Sequence, residues 1–311
     1  MNIWLQFLPL ILGFVMLIKG ADWFVDGVAG IAERFGIPQI VIGLTIVAMG
    51  TSAPEAAVSI NAALSGSADI TIGNIVGSNI FNVLVILGIT SIITPIAVKK
   101  NTLRIEIPFM IAISVVLLVM GLLSERLGLL CGIILWVLFL AYLVYLYFTA
   151  RKDKQEVSEA QKGASIPVLI FLAVLGGALV VFGSDFTVDS ASAIAAHFGM
   201  SERFIALTIV AFGTSLPELV TSITAAVKGK TDIAVGNIVG SNIFNILFVL
   251  GTSCLITPVL FQRNFLVDGA VALGAAILLL LCVLRKKKLT RPGGILMVLC
   301  YAGYFAYLIL G

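Results

Sequence analysis

Long apolar runs limit the folds open to this chain more than any other feature of its sequence. A bilayer core about 30 Å thick is crossed by a helix of roughly 20 apolar residues. Only 11% of the 311 residues are charged, too few to cover the core of a soluble protein. We therefore predict an all-α polytopic membrane protein with ten transmembrane helices. The predicted spans are 4–31, 39–65, 70–94, 104–123, 127–149, 166–195, 203–227, 233–259, 266–284 and 292–310.

The second half of the sequence repeats the first. Segment GLTIVAMGTSAPE at 43–55 returns as ALTIVAFGTSLPE at 206–218, and GNIVGSNIFN at 73–82 recurs letter for letter at 236–245. Both pairs are 163 residues apart, and 33 of the 53 positions between 43 and 95 match. Two similar apolar helices drawn from a small alphabet would not share their glycine, proline and polar positions. The chain is therefore interpreted as an internal duplication, which is common in secondary transporters.

An odd number of spans in each half gives the two halves opposite orientations in the membrane. With the N-terminus outside, 15 of the 19 lysines and arginines lie on the cytoplasmic side and three on the outer side, while Lys19 lies within the first span. This bias follows the positive-inside rule. We predict inverted-topology repeats in the cell (inner) membrane with both termini outside. The predicted parts are a first five-helix repeat at 1–150 with its motif at 43–95, a cytoplasmic linker at 151–165, and a second five-helix repeat at 166–311 with its motif at 206–258.

Two glutamates lie deep in otherwise apolar spans. Glu55 is in the second span and Glu218 in the seventh, and no lysine or arginine lies close to either in its span. An ionised carboxylate there costs roughly 2.5–3.5 kcal/mol on insertion scales. One explanation is a protonated acid hydrogen-bonded between helices. The other, which the neighbouring residues favour, is that bound cations neutralise the pair.

Both glutamates end the same local pattern, G-T-S-x-P-E. Residues three and four apart share a helix face, so the two hydroxyl side chains point to the side of the carboxylate. The proline lacks an N–H, which predicts a kink beside the acid and freed main-chain carbonyls. Irregular backbone in a membrane is tolerated only where it is buried in protein or lines a polar cavity. The candidate oxygen ligands from this pattern are Ala48, Thr51, Ser52, Glu55, Ala211, Thr214, Ser215 and Glu218.

The repeated decamer GNIVGSNIFN adds further oxygens and a close-packing motif. Its G-x-x-x-G spacing, at Gly73 and Gly77 and again at Gly236 and Gly240, predicts close approach of another helix. Its serine and second conserved ligand, an asparagine, fall four residues apart on one face. These candidates are Ser78, Asn82, Ser241 and Asn245. Carboxylate, amide, hydroxyl and carbonyl oxygens without thiols or imidazoles suit Ca²⁺ and Na⁺.

GTSAPE and GTSLPE, each followed by GNIVGSNIFN, closely resemble the paired α-repeats of the cation/Ca²⁺ exchanger superfamily, particularly prokaryotic Na⁺/Ca²⁺ exchangers. The resemblance covers nearly the whole chain. It implies ion sites at mid-membrane between the second, third, seventh and eighth helices, and a sliding pair formed by the first and sixth. It also implies an electrogenic antiporter that uses the twelve candidate ligands above. Some archaeal and all K⁺-dependent relatives have aspartate where this chain has Asn245.

Other function classes fit the sequence less well. A net charge of +3 gives no electrostatic footprint for nucleic acid, and the serines are not set in the G-x-S-x-G of a hydrolase. A channel is disfavoured because buried acids with converging ligands favour occlusion. The main alternative is a Ca²⁺/H⁺ or K⁺-dependent exchanger on the same fold. We expect no enzymatic activity, no cofactor and no inferable protein partner; the partners are the transported Ca²⁺ and Na⁺ and the lipid bilayer.

Three charged residues within the first and sixth spans stay open to two interpretations. Asp22 and Asp185 occupy equivalent positions in the two halves. Each is either a gating group or a polar residue near a helix end. Lys19 either extends its ammonium group to the membrane surface or pairs with Asp22.

Overall fold

A computed structural model describes residues 4–65, 69–152, 164–199 and 211–310 of the chain. Most of the predicted linker, the loop at 66–68 and the first part of the seventh predicted span lie outside these described residues. Predictions for those segments remain predictions.

The described chain is built from helices, several of which contain a π-helical turn. In chain order the helices are α1 Trp4–Phe35; α2 Gln39–Thr51; α3 Ala53–Leu64; α4, made of Asp69–Phe81, Asn82–Leu87 and Gly88–Ile93; α5 Thr102–Leu123; α6 Leu129–Lys152; α7 Ile166–His197; α8 Ala211–Gly213; α9 Leu216–Val227; α10 Thr231–Ile256; α11 Asn264–Leu284; and α12 Arg291–Leu310. The π-helical turns are Gly43–Val47 in α2, Asn82–Leu87 in α4, Thr102–Glu106 in α5 and Asn245–Leu250 in α10.

Seven of the described helices are long and apolar enough to cross a membrane, and eight spans result if the bent pair α2–α3 is one span. These seven are α1, α4, α5, α6, α7, α10 and α11. The count is below the ten that the sequence predicts, for two reasons. Helix α9 has only 12 described residues because 200–210 lie outside the described chain, and α12 begins with Arg-Pro-Gly-Gly, which lowers its hydropathy.

Four two-residue strands join the helix ends, which the prediction of helices alone missed. Proline at 95 and at 258 ends α4 and α10, because the residue before a proline is pushed into extended backbone. The predicted spans 127–149 and 233–259 therefore each run a residue or more into a strand. The strands are β1 Ile96–Ala97, antiparallel to β4 Lys288–Leu289, and β2 Arg126–Leu127, antiparallel to β3 Val259–Leu260.

Helices α4 and α10, which carry the decamers, form the centre of the molecule. The most apolar window of α10 is 94% buried inside the protein and that of α4 is 78% buried, against 22% to 28% for α6, α7 and α11. The outer helices present their exposed apolar side chains to the surroundings, as a lipid-facing surface does. The polar residues of the decamers are therefore enclosed by protein rather than by lipid.

Helices α1 and α7 pack main chain against main chain. A Cβ atom on Gly20 would lie 2.9 Å from the carbonyl oxygen of Gly176, and one on Gly13 would lie 2.9 Å from that of Gly183. The contacts run antiparallel, and Gly13 and Gly20 correspond to Gly176 and Gly183 across the 163-residue offset. Each helix therefore meets the other through equivalent glycines, as small residues permit in membranes.

Helix α10 crosses the π-helical turn of α2 at similarly close range. A Cβ on Gly236 would lie 2.9 Å from the Cα atom of Gly43, and one on Gly240 would lie 2.8 Å from that of Leu44. The close approach predicted from the second G-x-x-x-G is confirmed. For Gly73 and Gly77 it stays a prediction, because most of the segment matching α2 in the second half lies outside the described residues.

Candidate functional site

Each glutamate stands in the first turn of a short helix that follows a break. Ser52, with φ −82° and ψ 8°, separates α2 from α3, and the two helices are bent by 53°. Ser215 separates α8 from α9 in the same way. Pro54 and Pro217 occupy the first turns, where a missing N–H costs nothing, so the predicted kinks are confirmed. A helix N-terminus also favours the negative charge of a carboxylate.

The two halves are joined at the acids by crossed hydrogen bonds. Ser52 Oγ donates to Glu218 Oε1 at 2.8 Å, and Ser215 Oγ donates to Glu55 Oε1 at 3.1 Å. All four side chains are fully buried. The structure therefore brings together two carboxylates that lie 163 residues apart in the sequence, each bonded by the serine that precedes the other.

Four acceptor oxygens at this centre have no hydrogen-bond donor within the described chain. The oxygens are Glu55 Oε2, Glu218 Oε2, Asn82 Oδ1 and Asn245 Oδ1. Helix α9 packs against the π-helical turn that begins at Asn82, and α3 packs against the one that begins at Asn245. A buried acceptor without a partner costs about 1–3 kcal/mol. A bound cation would remove that cost at all four atoms.

The main-chain carbonyls near the breaks differ from the prediction. The carbonyl of Ala48 is not freed, since it accepts the N–H of Ser52 at 3.0 Å; Pro54 removes a bond to Gly50 instead. The Ser215 N–H bonds to Phe212 at 3.2 Å, so Ala211 does not receive the equivalent bond. The carbonyl of Gly213, predicted to be freed by Pro217, accepts the Ser184 hydroxyl of α7 at 2.7 Å.

The other predicted ligands lie at different distances from the acids' shared centre. Thr51 Oγ1 donates to Asn237 Oδ1 at 2.9 Å, and Ser241 Oγ donates to the carbonyl of Ala48 at 3.5 Å. Ser78 is buried. Thr214 instead lines a cleft of about 250 Å³ together with Asp185 of α7. Thr214 is thus the predicted ligand placed at an accessible edge, and Asp185 faces the same cleft.

The sequence reasoning missed four asparagines that hold this centre together. Asn74 Nδ2 donates to the Ser59 hydroxyl at 2.9 Å and to the Glu55 carbonyl at 3.2 Å. Asn237 repeats these bonds to Ser222 at 2.9 Å and Glu218 at 3.4 Å. Asn79 and Asn242 link α4 to α10. A signal for them was available, because all four are polar positions of the letter-for-letter decamer repeat.

Asp22 has a different partner from the lysine proposed for it. Lys228, in the turn after α9, lies 2.6 Å from Asp22 Oδ1 and 2.7 Å from Asp26 Oδ1, while Lys19 is exposed. Burial lowers the pKa of Lys228, but the bonds to the two aspartates outweigh it, and the net pKa is raised. Lys230 in the same turn pairs with Glu33. These pairs tie α1 to the turn between α9 and α10.

The fold and the site define a class: a helical membrane protein whose buried acids and unpartnered oxygens form an ion-binding centre between two similar halves. The family model described as "Sodium/calcium exchanger protein" matches residues 5–148 and 168–310. The chain belongs to this family, whose members are transporters.

Individual relatives agree along nearly the whole chain. The chain is 42% identical to the "Putative antiporter CaxA" of Alkalimonas amylolytica, over 94% of this chain and 95% of that protein. It is 38% identical to the inner membrane protein YrbG of Escherichia coli K12, over 93% and 92%. A solved structure of the sodium-calcium exchanger NCX_Mj superposes with a TM-score of 0.87 at 33% identity, covering 98% of this chain and 99% of that one.

Proposed function

We propose that this chain exchanges Na⁺ for Ca²⁺ across the cell (inner) membrane by alternating access, in an electrogenic cycle. Family membership and the similarity to a sodium-calcium exchanger structure support Na⁺/Ca²⁺ antiport. The observation that carries the site is the crossed pair of serine–glutamate bonds, which leaves one buried oxygen on each carboxylate without a donor in the described chain.

The transported ions bind between the two acids and the oxygens around them. Glu55 and Glu218 supply the charge, and Asn82 and Asn245 supply the unpartnered amide oxygens. Hydroxyl and main-chain oxygens complete the set. These further ligands are Ala48, Thr51, Ser52, Ser78, Ala211, Thr214, Ser215 and Ser241. Of them, Ala48 acts with the remaining lone pair of its carbonyl.

Competition between the two ions follows from charge. Two ionised glutamates carry −2, which a single Ca²⁺ neutralises, whereas Na⁺ must bind in several copies to do the same. An empty centre with uncompensated charge is costly to enclose in a low-dielectric interior. Only the occupied centre therefore passes through the occluded state, and exclusive occupancy by Ca²⁺ or Na⁺ couples their movements.

The architecture proposed for this cycle is ten helices in two inverted five-helix repeats, 1–150 and 166–311, joined by a cytoplasmic linker at 151–165. Reciprocal contacts support it. Gly13 and Gly20 meet Gly183 and Gly176, and the strand pair β1–β4 has its equivalent in β3–β2. Such exchange of equivalent partners is what a two-fold relation between the halves produces.

The topology is testable by cysteine labelling in intact cells. After replacement of the four native cysteines, Ser67→Cys in the loop at 66–68 should react with a membrane-impermeant maleimide. Ser158→Cys in the linker should react only after the membrane is opened, because the positive-inside bias keeps the linker in the cytoplasm. Labelling of the linker cysteine in sealed cells would overturn the assignment of both termini to the outside.

The transport function is tested by flux in reconstituted vesicles. Vesicles loaded with Na⁺, with K⁺ or with acidic buffer are diluted, one kind at a time, into medium that contains Ca²⁺. We expect Ca²⁺ uptake only where a Na⁺ gradient is present. Uptake driven by a proton gradient without Na⁺ would identify a Ca²⁺/H⁺ exchanger, and uptake that needs both Na⁺ and K⁺ would identify a K⁺-dependent one.

A further inference from the structure

Four asparagines form a closed set of hydrogen bonds between α4 and α10. Asn79 and Asn242 each donate a side-chain N–H to the main-chain carbonyl of the other, at 3.3 Å and 3.1 Å. Asn82 donates to Asn242 Oδ1 at 3.0 Å, and Asn245 donates to Asn79 Oδ1 at 3.1 Å. All four side chains are buried. We call this set the asparagine bridge.

The main-chain carbonyls fix the polarity of the asparagine bridge. A side-chain amide has one donating and one accepting end of nearly the same shape, whereas a carbonyl only accepts. Nδ2 of Asn79 must therefore face the carbonyl of Asn242, which leaves its Oδ1 facing Asn245. Asn245 must present its own Nδ2 to that oxygen, so its Oδ1 is turned away from the bridge. The same reasoning runs from Asn242 to Asn82.

The two oxygens that the bridge turns outward are the two unpartnered amide oxygens of the site, Asn82 Oδ1 and Asn245 Oδ1. The helices that carry Glu55 and Glu218 pack against the turns that begin at these asparagines. An amide in the opposite orientation would present N–H groups, with their positive hydrogens, to a cation. The ligand quality of Asn82 and Asn245 thus depends on which way each amide is turned.

We propose that Asn79 and Asn242 are positioning residues for cation exchange, holding Asn245 and Asn82 in the one amide orientation that presents oxygen to Ca²⁺ and Na⁺. This inference rests on the proposed function of the centre. Asn79 and Asn242 spend their own polar atoms on each other's main chain and on their partners, so each acts through the asparagine it orients.

The first measurement is the Ca²⁺ dependence of Na⁺-driven uptake in vesicles for Asn79→Ala. Asn245 is then free to turn, and we expect the Ca²⁺ concentration for half-maximal uptake to rise about tenfold, with a smaller change in maximal rate. Asn242→Ala should act in the same way through Asn82. Asn61→Ala, at an exposed asparagine of α3, is the matched control and should behave as the parent.

A double variant separates orientation from packing. At pH 8 an ionised aspartate at 245 accepts with either oxygen, so it has no wrong orientation, and its oxygens repel Asn79 Oδ1. In the Asn245→Asp background, Asn79→Ala should therefore leave the half-maximal Ca²⁺ concentration unchanged or lower it. An equal rise in both backgrounds would show that Asn79 only fills space, and would overturn the inference.

Failure of the inference and failure of the proposed function give different results. Absence of Na⁺-driven Ca²⁺ uptake in the parent overturns the function. Uptake in the parent with an unchanged Ca²⁺ dependence in both Asn79→Ala and Asn242→Ala overturns the positioning role alone. If an alanine variant does not fold, Asn79→Ser replaces it: its hydroxyl keeps a donor near the carbonyl but is too short to reach Asn245 as well, so the same rise is expected.

Discussion

Replacing Glu55 or Glu218 by glutamine is expected to abolish Na⁺-driven Ca²⁺ exchange while the protein still inserts and folds. Each change removes half of the −2 charge at the centre. It also places an amide N–H next to oxygens that have no donor in the described chain. Losing one partner of a buried, compensated charge costs roughly 3–5 kcal/mol, which corresponds to a loss of ion affinity of more than about 100-fold. The measurement is vesicle uptake with Na⁺ inside and Ca²⁺ outside.

The matched control is Glu125→Gln, which changes an exposed glutamate outside the centre and should keep parental flux. Aspartate at 55 or 218 keeps the charge but withdraws the carboxylate by one methylene, so weakened exchange is expected rather than loss. Retained Na⁺-driven Ca²⁺ flux in Glu55→Gln or Glu218→Gln would show that the ions do not bind between these two acids.

The sequence was sufficient to identify the acids and the amides of the centre because of the duplication. A carboxylate in an apolar span that recurs 163 residues later at the same position is a strong signal, and so is an asparagine in an identical decamer. The contacts between halves were not predictable in this way. The repeat pairs Ser52 with Ser215 as equivalent residues, whereas the structure bonds Ser52 to Glu218, because the two breaks face each other.

The local errors also have physical causes. Freed carbonyls were predicted correctly at Gly213 but wrongly at Ala48, because the bond that a proline removes is the one four residues before it. The short strands were missed because two residues give no alternating pattern. Asn79 and Asn242 were missed because attention went to residues that share a face with Ser78, although the conserved position of all the decamer's asparagines already marked them.

Asn245 decides whether K⁺ takes part in the cycle. Its neutral amide stands where K⁺-dependent relatives have a carboxylate, and a neutral oxygen cannot offset an additional monovalent charge. The centre therefore keeps a charge of −2. Na⁺-driven Ca²⁺ uptake by the parent should be the same with K⁺, with choline or with Li⁺ as the accompanying cation. An absolute K⁺ requirement would move the protein to the K⁺-dependent branch of exchangers.

Asn245→Asp should make exchange pH-sensitive, which the parent's exchange at this position is not. Ionisation would raise the charge of the centre to −3, and burial next to two glutamates favours the protonated acid instead. The protonated acid can still donate to Asn79 Oδ1, as the amide does at 3.1 Å in the parent. Between pH 6 and pH 8 the variant therefore changes from a parent-like centre to one with an extra charge and a repulsive contact. Vesicle uptake across this range, with Asn61→Ala as control, measures it. Identical pH profiles for parent and variant would mean that position 245 does not face the transported ions.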